Sequence, residues 1–169
     1  MVGCDCLRNI LRPSIVKGLL CLEYIRINDC PIMEEVVAKD EQSKQVYEDK
    51  VVVFPRVHTV RLTFLPNLKC FYPGNLTLEW PSLEHFSFDD CPHMKTFSSE
   101  LVITPKLKHV ERKYAKDYYY WEGNLNSTVQ QIQQMLKAKV RVLNKYFYIY
   151  NTKFHRLPLY ICIYSVLTI

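Results

Sequence analysis

Residues 80–97, WPSLEHFSFDDCPHMKTF, carry the pattern that decides the fold. Apolar side chains fall at Leu83, Phe86, Phe88, Cys91, Met94 and Phe97, slots one, four, six, nine, twelve and fifteen of a unit. Phe86 and Phe88 alternate with His85, Ser87 and Asp89, which is the period of a strand that buries one face. Cys91 stands where the chain leaves the strand, and Pro92 removes the next ladder donor. A small apolar side chain with a weak S–H donor suits that exit.

The same six slots recur upstream. Leu22, Ile25, Ile27, Cys30, Met33 and Val36 fill them once, and Val57, Val60, Leu62, Leu65, Leu68 and Phe71 fill them again. Near the start, Cys4, Leu7 and Ile10 match the last three slots of a unit whose strand is absent, and Leu107 and Val110 match the first two before the pattern fades. The first-slot residues Leu22, Val57, Leu83 and Leu107 are 35, 26 and 24 residues apart. Leucine-rich repeats run about 20–29 residues, so the long interval implies an insertion. One short strand cannot bury its own face, so the units must stack. The expected fold is an α/β leucine-rich-repeat solenoid, with short parallel strands on the concave face and an irregular or helical convex side.

Residues 1–111 are assigned to repeats, with the first unit incomplete. Glu34–Lys50, EEVVAKDEQSKQVYEDK, is the insertion and is expected to be a solvated loop or short exposed helix. Pro13–Leu20 reads as a short helical return with Ser14 as its cap. Pro73-Gly74 is a turn signal, and Phe97–Pro105 reads as a connection. Residues 112–147 hold an aromatic segment, with Tyr118, Tyr119, Tyr120 and Trp121 expected against the last repeat, and then a helix over Ser127–Phe147. Val129, Ile132, Met135 or Leu136, Val140, Leu143 and Phe147 recur there at threes and fours. Asn126 or Ser127 is its expected cap, with Gln130 in capping-box spacing. This helix is expected to close the C-terminal end of the solenoid, which would otherwise expose apolar side chains and unpaired backbone. Residues 148–169 form a divergent hydrophobic tail whose uncharged run falls short of the ~20 residues needed to span a bilayer.

The chain has 169 residues, 49% of them hydrophobic, enough for one domain. A net charge of +5, from 22 basic and 17 acidic residues, is mild and mixed, which argues against nucleic acid as partner. The seven cysteines are odd in number, and three of them fit repeat slots. Met1 is followed by a mixed stretch with Asp5 and Arg8, without a secretory core, so a reducing, cytoplasmic setting is expected. The sequons at Asn75 and Asn126 then carry no meaning. Cys4-x-Cys6 lacks zinc spacing, and no metal or cofactor is expected. His58, His85, His109 and the Cys91–His93 pair read as ordinary polar residues, and no enzyme is expected.

Three phrases, PSIVKGLLCLEYIRINDCPIMEEVVAKD, FPRVHTVRLTFLPNLKCFYPG and WPSLEHFSFDDCPHMKTF, resemble the leucine-rich-repeat region of plant intracellular disease-resistance proteins of the coiled-coil, nucleotide-binding class. WEGNLNSTVQQI is similar to the segment that often follows the final repeat in that family. The resemblance covers about Cys4–Met135. It implies a role in innate immunity, with a protein partner: a pathogen effector, a host protein altered by one, or a nucleotide-binding domain held at rest. The phosphate-binding loop G-x-x-x-x-G-K-[ST] does not occur among the four glycines, so the nucleotide switch is not expected here. A truncated product or a decoy fragment without a ligand of its own is the alternative.

The expected binding face is formed by the outward strand residues Tyr24, Arg26, Asn28, Thr59, Arg61, Thr63, His85, Ser87 and Asp89. Tyr and Arg most often carry interface energy, which singles out Tyr24, Arg26 and Arg61. Lys137, Lys139, Arg141 and Lys145 read as the solvated face of the terminal helix.

Overall fold

The computed structural model describes residues 3–39, 50–112 and 119–153, with side chains to residue 142 apart from that of Tyr119. Residues 154–169, most of the expected tail, lie outside the described residues, as do Tyr118 and the centre of the expected insertion. Two compact units divide the chain at Gln133.

The repeat strands β1 (Tyr24–Asn28), β3 (Thr59–Thr63), β5 (His85–Asp89) and β7 (Val110–Glu111) lie side by side, each parallel to the next. The slots align in register: Ile25, Val60, Phe86 and Val110 form one row, and Ile27, Leu62 and Phe88 the next. All seven side chains are buried, as the alternation demands. The aromatic segment contributes β8 (Tyr119–Tyr120), which pairs antiparallel with β7. Slot eight holds the same backbone wherever it falls among the described residues. Gly3, Asp29, Phe64 and Asp90 all have left-handed φ, between 52° and 65°. That turn delivers Cys30, Leu65 and Cys91 into the interior, and the Cys91 thiol donates to the carbonyl of Asp89 at 3.2 Å.

A second parallel sheet was not expected. It joins β2 (Val51–Val53), β4 (Thr77–Glu79) and β6 (Val102–Ile103). The buried residues Val52, Leu78 and Val102 each precede a first-slot residue by five positions, a regularity that could have revealed the sheet. The core between the sheets is aromatic. Phe54 stacks on Trp80 with centroids 3.9 Å apart, Phe71 stacks on Phe97 at 4.7 Å, and the two columns meet edge to face. Equivalent positions of successive units thus stack like on like.

Two local expectations on the return side are corrected. Glu34–Ala38 is part of the repeat and not of a solvated insertion: Val36 and Val37 donate to the Phe71 carbonyl, and Val36, Val37 and Ala38 are buried. Apolar side chains in the charged run, with their backbone on the ladder, decide this. The short return helix α1 spans Pro13–Val16, with Arg12 and not Ser14 at its N-cap and no side-chain cap bond. Pro13 at its first position supplies the fixed φ instead.

The long helix α2 spans Leu125–Lys153. Its cap is Asn124, whose Oδ1 accepts the Ser127 N–H at 2.9 Å. Asn126 serves elsewhere: its Oδ1 accepts from the Thr96 hydroxyl and from the N–H groups of Phe97 and Ser98, and its Nδ2 donates to the Glu100 carbonyl. Gln133 donates to the Cys91 carbonyl at 2.9 Å, and Leu125, Val129 and Ile132 are buried. The first turns of α2 therefore belong to the repeat body. In the second unit Lys137–Val142 are exposed, including Val140, which the sequence pattern placed on the apolar stripe.

Candidate binding surface

Strand pleating sends slots three, five and seven to the face opposite the core. Tyr24, Thr59 and His85 share one row, Arg26, Arg61 and Ser87 the second, and Asn28, Thr63 and Asp89 the third. All nine expected residues therefore lie on three adjacent strands of one sheet. Eight of them are exposed or half-buried, with Tyr24 at 65%.

Asp89 is the exception, at 4% exposure. Its carboxylate accepts from Nε of Arg112 at 3.0 Å, and that guanidinium lies 5.6 Å from the centre of the Phe88 ring. Arg112 occupies slot six of the fourth unit, so its cation reaches back and covers its neighbour. Periodicity alone places Asp89 outward and cannot register a side chain arriving from the next strand.

His109, just before β7, and Glu111 on β7 extend the face, though neither is among the nine expected binding residues. Leu107 and Val110 already fix their slots as three and five, so the same rule would have found them. Glu111 Oε1 lies 3.0 Å from His85 Nδ1 and 3.8 Å from His109 Nε2. The face thus runs from two adjacent arginines on β1 and β3, through Ser87, to a carboxylate between two imidazoles. Among the described residues no group of three or more His, Cys, Asp or Glu side chains is placed to hold a metal ion.

The buried thiols are poor nucleophiles. Burial pushes the Cys91 thiol up to about 12, with Asp89 and Asp90 adding to the rise, and burial pushes Cys70 up to about 11. A thiolate is the reactive form, so Cys91 is held in its inert state. The salt bridge between Lys69 and Glu34 is exposed and joins neighbouring units along the return side.

Residues 1–112 match the family described as plant disease resistance protein RPS2-like, leucine-rich repeats. The chain belongs to that family. This disease-resistance repeat chain is also 27% identical, over 104 residues, to a probable disease resistance protein of Arabidopsis thaliana. The match takes in 60% of the disease-resistance repeat chain and 11% of the relative's length. No solved structure matches it. No helix among the described residues is long and apolar enough to cross a membrane.

Proposed function

We propose that this chain is a non-catalytic protein-recognition module of plant immunity, acting in the cytoplasm. In this reading its repeats form a solenoid whose concave side is the face built by β1, β3, β5 and β7. The partner is a pathogen effector, a host protein modified by one, or a nucleotide-binding domain. The observation that carries the reading is the register. Four strands present aligned rows of polar and aromatic side chains on one face, while every slot-four and slot-six residue from β1 to β5 is buried on the other. Such rows leave side chains free to set specificity on a rigid support. Family membership and the protonated state of Cys91 support a binding role over catalysis.

The test blocks the centre of the face. Ser87→Trp places a bulky ring between the arginine pair and the Glu111 cluster without touching the core. Cross-linking in leaf tissue, before and after pathogen challenge, should join partners to the native chain and not to Ser87→Trp. Equal cross-linking of both chains would overturn the assignment.

A further inference from the structure

We propose that the outward face of β1 and β3 takes an acidic, extended segment of another protein, held centrally by Arg26 and Arg61. The segment's apolar ends meet Tyr24 and Phe64. The inference rests on the binding face described above and names the chemistry of its ligand.

Arg26 and Arg61 are direct register partners. Neighbouring strands lie about 4.8 Å apart, and like charges facing each other at that distance cost stability. None of the six outward positions on the two strands is acidic: they are Tyr24, Arg26, Asn28, Thr59, Arg61 and Thr63. All six side chains can donate hydrogen bonds. Two guanidiniums flanked by hydroxyls and an amide suit carboxylates, which accept bidentate donors. Glu23 and Asp29 lie beyond the two ends of β1, which confines the ligand's acidic part to the arginine row.

Phe64 is an independent observation. It holds the left-handed backbone of slot eight, at φ 52°, where the other units place Gly3, Asp29 and Asp90. Glycine and aspartate tolerate that region; an aromatic residue is strained there. Phe64 is 46% exposed, so burial in this chain compensates the strain only in part. Strain kept at an exposed aromatic residue is the mark of a binding position. Tyr24 and Phe64 stand five positions apart along the ladder, about 16 Å at the strand rise, a span of about five extended residues.

The test uses the full chain and fluorescein-labelled hexapeptides LTEETL, LTQQTL and LTKKTL, followed by fluorescence anisotropy at low salt. LTEETL should bind at least tenfold more tightly than LTQQTL. R26E/R61E should lose that preference and favour LTKKTL, while K137E/K139E, which changes the charge outside the repeats by the same sign, should bind as the native chain does. Phe64→Asn should weaken LTEETL binding several-fold yet raise the thermal midpoint, opposite signs that a purely structural residue would not give.

Equal affinity for LTEETL and LTQQTL overturns the acidic assignment, as does equal loss in K137E/K139E. If LTQQTL binds as well and Ser87→Trp abolishes it, the face stands and only the acidic preference falls. If no peptide binds in a way that Ser87→Trp or R26E/R61E alters, the acidic ligand is refuted. The cross-linking experiment then decides the face separately.

Discussion

Arg112 and Asp89 form an ion pair at 3.0 Å with only 11% and 5% of their side chains exposed. Arg112 takes the row in which Ile27, Leu62 and Phe88 are core residues, so this pair marks where the apolar interior gives way to charge.

Removing one member of that pair leaves the other buried and uncompensated. Asp89→Ala or Arg112→Ala should each cost about 3 kcal/mol, the scale for breaking a buried pair. The double variant Asp89→Ala/Arg112→Ala should cost less than the sum of the single losses. Urea unfolding of the four chains gives the cycle; strictly additive losses would show that the pair is uncoupled.

Asn126 holds the start of α2 to the third unit, at Thr96, Phe97, Ser98 and Glu100, through four hydrogen bonds. Asn126→Ala should destabilise by about 2–3 kcal/mol, since it orphans buried backbone donors. Asn124→Ala, which removes only a helix cap, should cost about 1 kcal/mol. Deleting residues 126–169 should go further, exposing the surface that Val129 and Ile132 cover and increasing aggregation. Thermal melts and light scattering check this order; an Asn124 variant weaker than the Asn126 variant would reverse it.

The buried thiols make stability fall at alkaline pH. Unfolded thiols ionise near about 8.5, whereas native Cys70 and Cys91 stay protonated up to about 11 and about 12. Raised folded-state values contribute stability in full below the unfolded value. That contribution is lost as pH rises from there towards the folded values. Denaturant midpoints should therefore drop between pH 8.5 and 11, and Cys70→Ala/Cys91→Ala should flatten the slope. In the folded chain a thiol reagent at pH 8 should modify exposed Cys6 and Cys21 well before Cys30, Cys70 and Cys91.

Gly74 is needed for space. A Cβ there would overlap the hydroxyl and ring of Tyr72, which is buried at 2% exposure and cannot swing clear. Gly74→Ala should cost about 1–3 kcal/mol, the range for overpacking. In a Tyr72→Val background the same change should cost less. Equal penalties in both backgrounds, read from unfolding midpoints, would place the strain in the backbone.

The repeat spacing was legible because burial of one strand face has a period that a single chain displays. Ile25, Ile27, Val60, Leu62, Phe86 and Phe88 announce both the strands and their register. The second sheet was harder to read, because Val52, Leu78 and Val102 sit in strands of two or three residues, too short to show alternation. Eight of the nine expected face residues emerged on the outward face by the same period, while Asp89 did not, because its burial depends on Arg112.

Sequence alone therefore determined the stacking unit, the buried rows, the outward rows and the family resemblance, all of which follow from local spacing. Tertiary structure decided which outward side chains remain open, which asparagine caps α2 and which anchors it, and where the charged run Glu34–Ala38 turns inward. Those outcomes depend on atoms supplied by a neighbouring unit about 25 residues away, at the repeat distance. A one-dimensional period says where a side chain starts and not what meets it.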